Sequence, residues 1–381
     1  MENNLLIICQ DITASQPVWD FIQALRISNK SFTVICNNIK DGLLKDNIIS
    51  MNCSPNYSPP ISKLGVILFK KDYSYISYEK KILNYCLNKI NENTYQKILV
   101  FTSGDSYNCL NAGYNLSVKK KLPLWIHTVD PLPSIPAWGE KNIYRKAIIK
   151  MIKPYFKRAD FFSANNETLL EYQSDLMNYK GKREFIPTIM VEEFKLFEEV
   201  NKPIFLYAGS FYGKRTPDQL INGFIEYLAI NKDAELVIAG FNNINLDDYN
   251  IKPNQKKQIK LLGFVEDFDT LFKKASVLID IDANVPNDVF ISGKLVKYLN
   301  TSKIIFSITP DKSPTRNWLN SIQGSCSVAN YNINEIKNGF IESYQLSKSL
   351  KNKDVFEIRE KILRQFSTSY VMSKINKNFN F

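Results

Sequence analysis

Short, uninterrupted apolar runs recur along the first half of the chain, separated by polar stretches. Continuous rather than alternating apolar runs are typical of strands buried on both faces of a parallel sheet. Helical spacing of apolar residues predicts helices at 78–92 and 106–118, between such runs. Strands and helices that alternate in this way indicate βαβ units. The predicted strands of this half are 4–9, 32–36, 65–69, 97–102, 122–127 and 160–164.

The second half repeats the pattern, after a proline- and acid-containing segment at 186–202. We therefore predict an α/β fold of two Rossmann-like, doubly wound domains, 1–188 and 189–366, which face each other across a cleft. Ligands of such folds bind beyond the carboxyl ends of the strands. The predicted strands of this half are 203–208, 234–240, 258–263, 276–281 and 303–308, and its clearest helices are 217–230, 267–275 and 293–301.

The turn after strand 203–208 combines a glycine with two cations. Gly209 ends the strand, and residues 216–218 (Thr-Pro-Asp) suit an N-cap, a first helical position and a first turn. Lys214 and Arg215 thus precede a helix start, where free N–H groups already favour an anion. The turn predicts a site for a doubly charged anion, and a solvated basic loop is the alternative.

A second turn of this type lies at 291–295. Ser292 can cap the predicted helix, Gly293 allows a ligand to approach the backbone, and Lys294 opens the first turn. Two cationic helix starts at the carboxyl ends of strands in one domain suggest a diphosphate held between them.

These motifs resemble the nucleotide-binding half of GT-B fold glycosyltransferases, and most of all the large retaining family four of bacterial mannosyl- and glucosyltransferases. AGSFYGKRTPDQLINGF matches the family's strand, Gly-Arg…Glu-Lys-Gly turn and helix. AELVIAGF, IKLLGFVEDFDTLFKKASVLID and GKLVKYLNTSKIIF follow in the family's order. The resemblance implies transfer of a sugar from a nucleotide-diphosphate donor, with retention. We expect no metal or other cofactor, because the two cationic turns would already neutralise a diphosphate. It also suggests that 367–381 returns to the first domain.

The resemblance assigns the diphosphate-binding residues position by position. Arg215 stands where the family has a diphosphate-binding lysine. Ser210 replaces the companion arginine, so Lys214 is the cation that could substitute for it. The loop expected to surround the distal phosphates consists of Ser292, Gly293, Lys294 and Leu295.

The nucleoside end of the donor site agrees less well with the family. Phe264 and Val265 match the turn that packs the base. Lys297 stands where a glutamate usually accepts the ribose hydroxyls, and a lysine can only donate. The family's earlier glutamate falls at Val289, beside Asp288. Ribose recognition must therefore differ, or the donor presents another acceptor or phosphate to Lys297, or the chain is an inactive relative.

His127, the only histidine, ends the apolar run 122–127 and precedes Asp130 by three positions. In the resembled family, a histidine in a comparable position approaches the transferred sugar. We therefore take His127 and Asp130 as the candidate catalytic residues, with a structural histidine as the alternative.

The formal charge of +11 favours an anionic partner: a nucleic acid, an anionic membrane surface or a phosphorylated small molecule. No nucleic-acid-binding motif is evident. The segment 140–161 is basic and partly amphipathic, which suits contact with a bilayer. An ordinary crossover helix is the alternative, and Pro154 argues against one unbroken amphipathic helix. Without a signal-like start or a spanning segment, we expect a cytoplasmic protein, peripheral on the inner face of the membrane.

The predicted function is transfer of a sugar to a glycan or lipid-linked oligosaccharide in bacterial surface polysaccharide synthesis, such as lipopolysaccharide or capsule. A metal-dependent transferase is one alternative, because Asp280 and Asp282 form a D-x-D motif after a strand. A catalytically silent GT-B-like binding module is the other, because the family's glutamates are missing. The sequence identifies neither the sugar nor the acceptor.

Overall fold

The computed structural model describes residues 4–12, 16–39, 47–89, 95–104, 107–139, 142–188, 191, 193–265 and 267–379. The chain divides into two compact units, 1–190 with 366–381 (unit 1) and 191–365 (unit 2). Residue 189, the predicted domain boundary, and Lys141 of the basic segment lie outside the described residues. Within the described part, no helix is both long enough and apolar enough to cross a membrane.

Unit 1 contains a seven-stranded, all-parallel sheet with strand order β3-β2-β1-β4-β5-β6-β7. Its strands are β1 (Leu5–Cys9), β2 (Phe32–Cys36), β3 (Ile48–Ser50), β4 (Lys97–Thr102), β5 (Leu124–Thr128), β6 (Phe161–Ala164) and β7 (Lys182–Phe185). Its helices are α1 (Gln16–Ile27), α2 (Pro59–Phe69), α3 (Ile76–Lys89), α4 (Tyr107–Lys120), α5 (Asn142–Arg158) and α6 (Glu167–Met177).

Unit 2 contains a six-stranded, all-parallel sheet with strand order β10-β9-β8-β11-β12-β13. Its strands are β8 (Ile204–Ala208), β9 (Glu235–Ala239), β10 (Ile259–Leu262), β11 (Val277–Ile281), β12 (Ile304–Ile308) and β13 (Cys326–Ala329). Its helices are α7 (Asp218–Leu228), α8 (Pro253–Lys256), α9 (Phe268–Lys274), α10 (Gly293–Leu299), α11 (Pro314–Asn320), α12 (Ile333–Ser349) and α13 (Asn352–Arg364).

The last helix, α14 (Thr368–Phe379), belongs to unit 1. Val371, Met372 and Ile375 join the core formed by strands β1, β2 and β4 and helix α1. Lys374 also forms a salt bridge with Glu184 of strand β7. Burial of three apolar side chains therefore holds the end of the chain against the first unit.

Ten of the eleven predicted strands are present, but the predicted strand 65–69 is wrong. GVILF is the last part of helix α2, which starts with prolines at its first positions. A five-residue apolar run fits either state, and here the run continues a helical spacing that begins at Ile61. Strands β3, β7 and β13 were not predicted; β7 (KREF) is largely polar, which hides it from an apolar pattern.

Both sheets have the strand order 3-2-1-4-5-6 typical of doubly wound folds, and unit 1 adds a seventh strand. The order reverses between β1 and β4 in unit 1, and between β8 and β11 in unit 2. Loops that leave neighbouring strands in opposite directions open a crevice at this switch point, where such folds bind ligands. The basic turn after β8 therefore lies at the switch point of unit 2.

Candidate functional site

A tight turn after strand β8 places the two predicted cations, Lys214 and Arg215, in different environments. The N–H of Arg215 donates to the carbonyl of Tyr212 at 3.0 Å, and Gly213 between them has φ +59°. This left-handed conformation suits glycine, which has no β-carbon to clash. Lys214 is exposed, whereas Arg215 is only 8% exposed. The turn thus directs one cation into the protein and leaves the other in solvent.

Helix α7 begins one residue later than predicted. Its N-cap is Pro217 rather than Thr216, and no side chain caps its first turn. At the second predicted helix start, Ser292 does occupy the N-cap of α10, but its hydroxyl makes no capping hydrogen bond. The free N–H groups of both helix starts are therefore not satisfied by the expected hydroxyls.

Arg215 and Lys294 are brought close to the same aromatic and acidic groups. The Lys294 Nζ donates to the Tyr207 hydroxyl at 3.1 Å and lies 4.3 Å from the centre of that ring. The Arg215 guanidinium lies 5.3 Å from the ring centre of Tyr212, and its Nε has no hydrogen-bond partner among the described residues. Neither cation forms a salt bridge with a described carboxylate.

Burial and neighbouring charges shift the pKa values of both cations. Burial lowers the pKa of Lys294 to about 8, while Asp280 opposes the shift. Burial also lowers the pKa of Arg215, but the nearby acidic groups, foremost Tyr212, leave it raised on balance. Both side chains are therefore charged at neutral pH, although they are largely withdrawn from water.

Asp280 lies beneath these cations at the end of β11. It is fully buried, and neither carboxylate oxygen meets hydrogen-bond geometry with a described residue. Burial, reinforced by Asp282, raises its pKa to about 6; Lys294 and Arg215 act in the opposite direction. The Ser292 side chain lies close enough to lower this pKa slightly, but it forms no hydrogen bond with the Asp280 carboxylate. Asp280 is a functional candidate that sequence reasoning treated only as a metal ligand.

Asp282, the second acid of the D-x-D motif, has a different environment. One oxygen accepts hydrogen bonds from the hydroxyls of Thr309 and Ser313, both at 2.7 Å, and the other accepts from Thr315 at 3.1 Å. Its carbonyl also accepts a bond from Tyr331. Hydroxyls thus already bind both oxygens. No group of three or more His, Cys, Asp or Glu residues that could hold a metal is found in the described part of the chain.

Asn242 and Gly240 fix the backbone of the glycine turn. The Asn242 amide donates to the carbonyl of Gly209 at 3.2 Å, and its oxygen accepts from the N–H of Phe211 at 2.9 Å. Gly240 has φ +134°, and a β-carbon there would lie 2.5 Å from the Gly209 carbonyl oxygen. Sequence reasoning assigned neither residue to the site, although Gly240 ends the predicted strand 234–240 and Asn242 lies two positions beyond it.

Phe264 lies beside an aromatic partner that was not predicted. Its ring stacks on Phe241 with centroids 5.2 Å apart and an interplanar angle of 14°. The side chains are 59% and 70% exposed, at the carboxyl ends of neighbouring strands β10 and β9. Val265 is half-buried. An exposed pair of stacked rings offers a flat apolar surface to a third ring system.

The other predicted donor residues differ in accessibility. Lys297 is exposed, and Leu295 is fully buried, so only its backbone could contact a ligand. Ser210, Ser292 and Gly293 are half-buried.

Val289 is buried, and Asp288 accepts hydrogen bonds from the N–H groups of Val289 and Phe290. Burial raises the pKa of Asp288 to about 6, and Arg215 opposes this.

In unit 1, His127 lies inside strand β5 and is fully buried. Its Nδ1 lies 2.7 Å from the Ser163 hydroxyl, Nε2 has no described partner, and its ring packs 4.6 Å from Phe101. Burial lowers its pKa to about 3, so the ring is neutral. Asp130 is half-buried and accepts a hydrogen bond from the N–H of Gly104 at 2.9 Å. A catalytic role for either residue stays a prediction.

No protein-family model matches the sequence, and no curated protein matches it either. Solved structures do match over nearly the full chain. The Anabaena HepE structure in complex with UDP and glucose has a TM-score of 0.64 at 13% identity, with 100% of each chain covered.

Two further structures are similar. TarM has a TM-score of 0.70 at 8% identity, and covers 100% of this chain and 99% of its own. The pneumococcal O-GlcNAc transferase GtfA, in complex with UDP and GlcNAc, has a TM-score of 0.66 at 12% identity, with 99% and 98% covered. At such identities the likeness establishes the fold. The chain has the α/β fold of GT-B glycosyltransferases, as the sequence motifs predicted.

Proposed function

We propose that the protein is a glycosyltransferase that holds the diphosphate of a nucleotide-sugar donor between Arg215 and Lys294. The observation that supports this most is a pair of withdrawn cations without salt bridges at the switch point of unit 2. Withdrawing cations from water is costly. Asp280 lies near both cations but forms no salt bridge with either, and a bound diphosphate would offset the remaining cost with charge-assisted hydrogen bonds.

The surrounding residues fit the remaining parts of such a donor. The stacked rings of Phe241 and Phe264 would pack a nucleobase. UDP is the first nucleotide to test, since the HepE and GtfA structures contain it. Lys214 and Lys297 are both exposed and would contact the donor only at the rim of the site.

The acceptor would be a glycan or a lipid-linked oligosaccharide, and the product part of a bacterial surface polysaccharide such as lipopolysaccharide or capsule. The basic charge of the chain and its resemblance to retaining bacterial transferases support this assignment. Retention of configuration is what the same resemblance implies, and the basic segment 140–161 supports work at the cytoplasmic face of a membrane. No metal or other cofactor is expected, because Arg215 and Lys294 would neutralise the diphosphate.

A thermal-shift panel of UDP, GDP, CMP, ADP and dTDP with their sugars tests the donor site. We expect a nucleoside diphosphate to raise the melting temperature, and Arg215→Ala to abolish that shift. Arg364→Ala, an exposed residue of the same unit, is the matched control and should keep the shift. An undiminished shift in Arg215→Ala would refute the diphosphate assignment.

The alternatives are separated by activity and by metal dependence. A silent binding module, suggested by the absence of glutamates at Val289 and Lys297, would bind a partner or a polyanion, would show no nucleotide-dependent thermal shift and would transfer no sugar. A metal-dependent transferase would use the two unpartnered oxygens of Asp280. Asp282 would then have to exchange its three hydroxyl hydrogen bonds for a cation. Activity lost on chelation and restored by manganese would favour this alternative.

A further inference from the structure

Helix α2 contacts unit 1 through its small residues and exposes its large ones. Its buried residues are Ser62, Gly65 and Val66. A β-carbon on Gly65 would lie 2.5 Å from the ring of Tyr73, so the glycine is what allows that ring to pack against the helix. Of the bulky apolar side chains of α2, Val66 is buried and Ile67 is half-buried, and the others are exposed.

Those side chains form what we call the α2 stripe: Ile61, Leu64, Leu68 and Phe69. Their exposed fractions are 53, 55, 58 and 69%. The first three are spaced i, i+3 and i+7, which places them on one side of a helix. Solitary exposed apolar residues are ordinary, but a contiguous group marks an interaction surface.

The charged residues of helix α2 and of the helix packed against it are all basic. Residues 54–71 contain three lysines and no acidic residue, and Asp72, which follows, is buried. Helix α5 packs against α2 and likewise contains basic but no acidic residues. Lys63 lies 5.2 Å from the ring centre of Tyr144 on α5, which links the two helices. The exposed lysines of this surface are Lys63, Lys70, Lys146 and Lys150.

We propose that the α2 stripe inserts into the headgroup region of an anionic lipid bilayer, with the lysines of α2 and α5 on lipid phosphates. Apolar side chains beside a row of lysines, without acids, are the pattern of interfacial membrane helices. A protein partner fits less well, because lysine is depleted from the centre of protein interfaces. The proposal extends the proposed function by giving the lipid-linked acceptor a docking surface in unit 1.

Co-sedimentation with lipid vesicles tests the surface directly. We expect the full chain to bind vesicles of phosphatidylcholine with phosphatidylglycerol, to bind pure phosphatidylcholine far less, and to dissociate in high salt. The double variant Leu64→Ser/Leu68→Ser should lose roughly tenfold or more in vesicle affinity. The matched control Ile27→Ser/Val118→Ser removes two exposed apolar residues elsewhere in unit 1 and should bind as the wild type does.

A second pair of variants tests the charges. Lys63→Gln/Lys70→Gln should weaken binding to the anionic vesicles, whereas Lys119→Gln/Lys180→Gln, two exposed lysines elsewhere in the unit, should not. The proposal is overturned if the wild type does not bind anionic vesicles, or if the leucine variant binds them as tightly as the wild type does. A dimer that the leucine substitutions dissociate, without vesicle binding, would make the stripe a protein interface instead.

Donor binding provides the independent readout. The leucine variant should keep the nucleotide-induced thermal shift, which also shows that it is folded. Vesicle binding without any nucleotide shift would contradict the proposed function alone, and a nucleotide shift without vesicle binding would contradict this inference alone.

Discussion

The ammonium group of Lys294 lies over the ring of Tyr207, 3.1 Å from its hydroxyl and 4.3 Å from the ring centre. The two residues are far apart in sequence, on helix α10 and strand β8. The switch point of unit 2 brings them together. Burial at this place withdraws the ammonium group from water and lowers its pKa to about 8, so that Lys294 loses its proton in mild alkali.

Nucleotide affinity should therefore depend on pH in the alkaline range. A bound diphosphate favours the protonated lysine, so UDP affinity should fall as the pH rises above about 8. The limiting slope is about tenfold per pH unit for one proton. Titrations of UDP across this range provide the measurement. Lys294→Arg should remove the dependence, and a wild-type affinity that stays flat to pH 10 would contradict it.

Asp280→Asn should move the same transition to lower pH. Asp280 raises the pKa of Lys294, so its neutralisation lets burial lower that pKa further below 8. The midpoint of the alkaline loss of UDP affinity is the quantity to compare. A midpoint that stays in place or moves up would show that Asp280 does not act on Lys294.

Gly209→Ala should weaken nucleotide binding with little loss of stability. A β-carbon there would lie 2.3 Å from the Lys294 Nζ, so the ammonium must move. The obstructed atom is the flexible end of a side chain, which can shift at low cost, but the cation then leaves its place. We expect roughly tenfold weaker UDP binding, from loss of one charge-assisted contact.

Gly263→Ala is the control, because no atom lies within 4 Å of the added β-carbon. It should bind UDP as the wild type does. Equal affinities for the two alanine variants would mean that the position of Lys294 does not matter.

Arg359 should be a major contributor to the stability of unit 2. It is fully buried on α13 and donates to the carbonyls of Thr301, Lys303 and Ser325 at 2.7–3.0 Å. Arg359→Met would remove these hydrogen bonds from buried carbonyls, at a cost of roughly 3 kcal/mol or more. Denaturant unfolding measures it.

The control is Arg364→Met on the same helix. Its ion pair with Glu360 is largely solvent-exposed, and such pairs contribute about 0–1 kcal/mol. If the two variants were equally stable, the buried hydrogen bonds of Arg359 would make no net contribution to the free energy of unfolding.

His127 should make the protein less stable as the pH falls. Its folded pKa, about 3, lies below the usual value of 6.5. Between these values the unfolded chain binds a proton that the folded chain does not, so stability is lost as the pH decreases from 6.5. The slope is at most about 1.4 kcal/mol per pH unit.

His127→Phe should reduce this slope, since the chain has no other histidine to replace its effect. Unfolding free energies at pH 7 and pH 5, for both proteins, give the comparison. Parallel pH profiles would show that His127 is protonated as readily in the fold as in the unfolded chain.

The sequence by itself was sufficient for the fold. Buried parallel strands are continuous apolar runs, and the spacing of those runs from β8 to β12 is that of a doubly wound domain. Prediction from the sequence failed for elements whose apolar pattern is ambiguous or absent. GVILF fits either a strand or a helix, and only its packing through Ser62, Gly65 and Val66 makes it a helix with its bulky residues in solvent.

For the candidate site, the sequence determined which residues follow the strands, and hence that Gly209, Arg215 and Lys294 are candidates for an anion site. It treated Lys214 and Arg215 as one basic pair. Only the tertiary structure separated them, because the Gly213 turn exposes the first and buries the second. Likewise Tyr207, Asp280 and Asn242 became site residues through contacts between separate strands and loops. The charge and pKa of a side chain depend on its burial and on contacts with residues distant in sequence. The spacing of neighbouring residues along the chain determines neither.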